Sequence, residues 1–202
     1  MYTSSSIMNP GNTYRSDLIK MLISNLGSSD GLVRQKARYG LIHKGQDAVQ
    51  ALIEALKNPE TQIRWEAAKA LVEIHSPLAA PALVEAMRKD EEYSVRWLAS
   101  EALIALELDA IEPLLIGLKE HFGSIWMRDG AHHVLRGLYE QNLLSAPQIQ
   151  VMEALEGSEP EVKVPWAVYI ALEKLKGKCV GRPSKRNDES FPEVDPFSRI
   201  CL

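Results

Sequence analysis

The chain has 202 residues, of which 46% are apolar, enough to bury a sizeable core and to exclude a disordered polymer. Its 23 basic and 27 acidic residues give a formal charge of -4, which argues against a surface devoted to phosphate backbones. No apolar run approaches a membrane span, and two cysteines, Cys179 and Cys201, are too few for a disulfide framework or a zinc cluster.

The opening segment MYTSSSIMNPGNTYR lacks the charged-then-apolar order of a secretion signal, so a cytoplasmic protein with a flexible segment over residues 1–16 is expected. From Asp17 onward the chain repeats itself. First helices are read from DLIKMLISNL, DAVQALIEAL, PLAAPALVEAM, DAIEPLLIGL and APQIQVMEAL. Each is followed by a second: LVRQKARYGLIHK, QIRWEAAKALVEI, SVRWLASEALIAL, WMRDGAHHVLRGL and KVPWAVYIALEKL. The second helices place arginines at Arg34, Arg64, Arg96 and Arg128, with spacings of 30, 32 and 32 residues. The fifth copy follows after 37 and puts Pro165 where arginine would stand. Asp47 and Asp109 sit where helix caps are expected, and Asn58-Pro59 and Gly123-Ser124 interrupt the pattern between paired helices.

Counting from Val33, Ile63, Val95, Met127 and Val164 as zero, apolar or small residues recur at offsets four, seven, eight and eleven, the stripe of a half-buried helix. One hairpin cannot bury that stripe alone, but a stack shares a continuous core. The expected fold is therefore all-α: a right-handed α-solenoid of about five helical hairpins over residues 17–178, followed by a flexible tail over 179–202.

Acid and arginine recur four residues apart as Asp30 with Arg34, Glu60 with Arg64 and Glu92 with Arg96, a spacing that stabilises a first helical turn; the sharper alternative, an anion-binding ladder of arginines along the groove, is broken by Pro165. Offset two holds Gln35, Trp65, Trp97, Asp129 and Trp166. At about 100° per residue it lies nearly opposite the core stripe, with offsets five and nine beside it. Trp65, Trp97 and Trp166 with Val72, Ile104, Ala68 and Ser100 are thus expected to form an exposed strip that binds a partner, or else to pack against a neighbouring repeat. Repeat four adds Trp126, Asp129, His132, His133 and Arg136 on or near the same face, polar groups suited to an acidic ligand group, although no spacing specifies a reaction. His43, His75 and His121 are scattered and read as structural.

The hairpins resemble the HEAT repeat family, in particular the short HEAT-like repeats of phycobilisome lyase relatives. DAVQALIEALKNPETQIRWEAAKALVEI carries the likeness, with Pro81 and Pro113 inside first helices, and it extends over roughly four fifths of the chain. The resemblance implies that second helices line the concave side, making the tryptophan strip the floor of a groove. The function expected first is a non-catalytic interaction or scaffold module that holds another protein, with no cofactor and no metal. The alternative that the resemblance allows is a bilin lyase or chaperone, with the strip on the tetrapyrrole and Arg136 or His132 meeting propionates. HEAT-type deoxyhypusine hydroxylases ligate iron through His-Glu pairs, which this sequence lacks, and HEAT-like DNA glycosylases share little with it beyond Trp126 and Asp129. In the tail, Gly181-Arg182-Pro183 is similar to the centre of an AT-hook, but Val180 precedes it where arginine is required, and nucleic acid is not an expected partner.

Overall fold

A computed structural model of the chain describes residues 10–177. They form ten α-helices and, among the described residues, no strand. The helices are α1 (Pro10–Asn25), α2 (Gly31–Lys44), α3 (Gln46–Ala55), α4 (Thr61–Ile74), α5 (Ala80–Lys89), α6 (Tyr93–Ala105), α7 (Ile111–His121), α8 (Ile125–Glu140), α9 (Ala146–Glu156) and α10 (Pro160–Leu175). Taken in pairs they are the five hairpins that the sequence repeat requires, stacked as an α-solenoid. Short 3₁₀ turns at Pro77–Ala79 and Glu107–Ala110 lead into α5 and α7.

The helix starts follow local chemistry. Asp30 Oδ1 accepts from the Leu32 amide at 2.8 Å, Ser124 Oγ from Met127 N–H at 3.3 Å, and Ser145 with Gln148 forms a capping box, so N–H groups left without intrahelical partners are satisfied. Asp47 and Asp109 are not caps: Asp47 lies inside the first turn of α3 and binds Arg15 at 2.8 Å, and Asp109 lies in the 3₁₀ turn before α7. The first helix also begins earlier than expected, at Pro10, a residue whose fixed φ suits a first helical turn. Residues 10–16 of the segment expected to be flexible are therefore helical. Cys179, Cys201 and Gly181-Arg182-Pro183 lie outside the described residues.

The core is the stripe read from the sequence. Ala67, Ala70 and Leu71 in α4, Val95, Ala99, Ala102 and Leu103 in α6, and Met127, Ala131, Val134, Leu135 and Leu138 in α8 are all buried. Small residues at recurrent offsets let the helices approach closely. A Cβ added at Gly117 would lie 2.5 Å from Val84 Cγ1, and one at Gly130 2.5 Å from Met87 Cγ, so glycine is required at both contacts by space.

The recurrent arginine has a structural role, though not the expected one. No ion pair joins it to the acid four residues before it among the described residues. Instead the guanidinium folds back over the hairpin loop. Arg34 Nη1 donates to the Ser28 and Ser29 carbonyls at 2.7 and 3.1 Å, and Arg64 Nη1 to those of Asn58 and Pro59, both at 3.0 Å. Arg96 Nη1 reaches Asp90 and Glu91 at 2.8 and 3.0 Å, and Arg128 Nη1 reaches Phe122 at 2.9 Å. Loop carbonyls beyond a helix end are thereby paired by a charged donor. The acids instead occupy the N-cap positions, where their backbone is extended. Arg64 also grips Asp90 of the next loop at 2.7 and 3.0 Å, a contact that raises its already high pKa and joins hairpin two to hairpin three.

The second helices α2, α4, α6 and α8 pack side by side in one row. The last hairpin breaks that row: α9 lies against α8, and α10 packs on α9 and α7. Pro165 supplies no guanidinium to brace the loop before α10, and that helix starts from Glu159 in the left-handed region at φ 63°.

Candidate partner-binding face

Offset two turns outward, but its neighbours do not. Trp97 is 44% exposed, Trp65 is half-buried, and Lys69 Nζ stands 4.7 Å from the Trp65 ring centre. Ala68 and Ser100, expected beside them on the surface, are buried, and Ser100 Oγ donates to the Arg96 carbonyl at 3.1 Å. Val72 and Ile104 are half-buried, and Ile104 packs where a Cβ on Gly137 would stand 2.7 Å away. The reason lies in the stacking. Offset five points sideways into the adjacent second helix, so the surface left by one hairpin becomes interior in the row.

Trp166 departs from the row in another way. It is 42% exposed and stacks on Tyr169 with ring centres 5.6 Å apart, but α10 stands against α7 and α9. A continuous strip joining Trp65, Trp97 and Trp166 therefore does not exist.

What the row presents is an aromatic cluster on α6 and α8. The Arg96 guanidinium lies 4.2 Å over the ring of Trp126 and 5.7 Å from that of Tyr93. Trp97 is next to His133, with ring centres 6.4 Å apart. Tyr93, Trp97, Ile125 and Trp126 are all exposed. The loop-bracing arginine thus also holds two aromatic faces in place, and such cation–π contacts contribute roughly 0.5 to 1 kcal/mol each at exposed sites. Tyr93, Arg96 and Ile125 were not anticipated as site residues. For Tyr93 and Ile125 the only sequence signal is an aromatic or aliphatic residue in the first turn of two successive second helices, whereas Arg96 was visible as one of the recurrent arginines.

In repeat four the polar residues are already engaged. His132 Nε2 and Glu156 Oε1 are 2.7 Å apart, Arg136 Nη1 is 3.4 Å from the same oxygen, and Arg136 Nε is 3.3 Å from Glu140 Oε1. The hydrogen bond from His132, reinforced by the charges of His132 and Arg136, holds the Glu156 carboxyl below its ordinary value against desolvation, which acts the other way. His133 Nε2 likewise meets Glu101 at 2.9 Å. These pairs tie α8 to α9 and to α6. Asp129 is exposed and lies outside the Glu156 cluster, so the structure does not assemble an Asp129–His132–Arg136 site.

A further polar cluster lies between α2 and α4, where sequence reading marked Arg34 but neither Arg38 nor Glu66. Glu66 is 3% exposed and pairs with Arg38, itself 7% exposed, while Arg34 Nε lies 3.5 Å from its other oxygen. The available signal was Glu66 at offset three, where repeats three to five carry Leu98, Gly130 and Ala167, and Arg38 at offset five, where repeats two and three carry Ala68 and Ser100.

Residues 18–104 match the family model described as HEAT repeats. That stretch, which spans the first three hairpins up to Ile104 in α6, is HEAT-like in sequence. Among solved structures it is similar to the complex of CpcE and CpcF of phycocyanin lyase from Nostoc sp. PCC7120, at 24% identity and a TM-score of 0.51. That likeness covers 77% of this chain and 98% of the other, and it concerns the fold. No curated protein matches the chain.

Proposed function

We propose that this α-solenoid is a cytoplasmic interaction module that holds another protein against the second-helix face of α6 and α8. The observation that carries this reading is the exposed cluster of Tyr93, Trp97, Ile125 and Trp126, two of its rings fixed by Arg96. Rigid aromatics beside an arginine are the groups that most often dominate an interface's energy. No helix of the described residues is long and apolar enough to cross a membrane. The test starts with affinity purification from the native source and continues as a titration of the recovered partner. Changing both Trp97 and Trp126 to alanine should weaken binding by about 2 kcal/mol or more, roughly thirtyfold. Unchanged affinity in that double variant removes the proposal.

A second reading, bilin handling as a lyase or chaperone, draws support from the same rings, since two indole faces beside a guanidinium suit a planar acid. It does not use Arg136 or His132, which Glu156 occupies. Tetrapyrroles absorb visible light, so a colourless protein after purification from the native source disfavours it.

A further inference from the structure

We infer that the open pocket between α2, α4 and α6 is a binding site for a single carboxylate group. Its volume is about 660 Å³, and it is separate from the exposed rings of α6 and α8 on which the proposed function rests. Arg34 and Arg38 form one wall, Trp65 and Glu66 stand opposite, and Thr61 and Ser94 bring hydroxyls from the first turns of α4 and α6.

Charge balance points to an anion. Glu66 carries one negative charge and faces two guanidinium groups, so the cluster retains one positive charge although Arg38 and Glu66 are almost closed off from water. An uncompensated charge in that setting is costly and favours an additional counter-charge. Lys69, over the Trp65 ring, is not part of the pocket lining and does not enter this balance.

Donor capacity points the same way. Among the described residues Arg38 makes one hydrogen bond, from Nη1 to Glu66, and Arg34 directs Nη1 to the loop carbonyls. The Nε atoms of both are closed to solvent, Arg34 Nε within 3.5 Å of Glu66 Oε1, so the donors left for a ligand are the two Nη2 groups, which make no hydrogen bond among the described residues. A guanidinium has five N–H donors in a planar fork that matches a carboxylate. The N-terminal ends of α4 and α6 add favourable dipoles. A monoanion balances the one residual charge, whereas a phosphate dianion would overfill a pocket that already holds Glu66. The indole of Trp65 gives the acid an apolar wall.

The carboxylate can belong to a free organic acid or to an acidic side chain of a bound peptide, and the probe distinguishes them. The indole N–H resonance of Trp65 in the full-length chain, assigned through Trp65→Phe, is followed during titration with benzoate and, separately, with a short glutamate-rich peptide, with sodium chloride as the ionic-strength control. A saturable shift of Trp65, with Trp166 unmoved, is expected from at least one probe. Benzoate alone identifies a small-acid site, and the peptide alone identifies an acidic segment. Gln62→Glu, at an exposed rim position 3.4 Å from Glu66, should weaken either response about tenfold or more. Arg38→Gln should do the same, and thermal melts show whether it remains folded. No saturable shift with either probe, or a shift that Gln62→Glu leaves unchanged, overturns the inference.

Discussion

Leu71 and Leu103 hold the same offset in successive second helices, and both are closed to solvent, while Trp97, earlier in α6 and on its opposite side, is 44% exposed. The contrast separates packing from recognition at single residues. Leu103→Ala removes several buried methyl and methylene groups from a close-packed row and should cost about 2 to 5 kcal/mol of stability, read from denaturant unfolding. Trp97→Ala should cost at most about 1 kcal/mol, because its ring keeps much of its contact with water. A tryptophan variant that unfolds like the leucine variant would mean that Trp97 belongs to the core and that the proposed binding face has lost its centre. Glu156 makes a prediction of a different kind. Its folded pKa is depressed, so the stability it contributes is fully present above its unfolded value and is lost as pH falls through the lower folded value. Melting temperatures followed into the acid range should therefore fall more in the natural protein than in Glu156→Gln. Equal slopes would show that the contacts with His132 and Arg136 are not maintained in solution.

At the scale of the element, the recurrent arginine shows how a motif can be legible while its mechanism is not. Its period and its place in the second helix follow from the sequence, and so does a structural role. The acid four residues earlier suggested an ion pair along the helix, whereas Arg34, Arg64, Arg96 and Arg128 reach back five or six residues to carbonyls of the preceding loop. Backbone acceptors leave no trace in side-chain patterns. The burial of Ala68 and Ser100 was hidden for a related reason: a helical wheel orients a residue against its own hairpin but not against the next one. The core stripe, by contrast, was readable because both neighbours bury the same offsets. Arg128→Ala should destabilise by about 1 to 3 kcal/mol, since it leaves the Phe122 carbonyl without its charged donor. Amide exchange should rise mainly in the loop between α7 and α8. Faster exchange spread evenly over the whole chain would show instead that the contact supports global stability and not that loop.

For the whole molecule, stacking means that each hairpin depends on its neighbours and not on the chain as a unit. Sequence-distant ion pairs among the described residues span single hairpin steps, as in Arg15 to Asp47, Arg38 to Glu66, Arg64 to Asp90, His133 to Glu101 and His132 to Glu156. Stability should then be close to a sum of hairpin and interface contributions. The turned last hairpin offers a way to examine this, because α9 and α10 cover one end of the stack and contribute no aromatic to the cluster on α6 and α8. A chain ending at residue 144 keeps four hairpins and every tie above except the one to Glu156. It should retain a helical circular dichroism spectrum and unfold cooperatively, at a lower temperature because buried faces of α7 and α8 become exposed. Partner affinity at the α6 and α8 face should stay within about threefold of the full chain, a difference of under 1 kcal/mol. If the shortened protein is unfolded, the fifth hairpin is an obligatory cap. If it is folded but has lost the partner, α9 or α10 belongs to the binding surface, and Trp166 with Tyr169 becomes the first place to look.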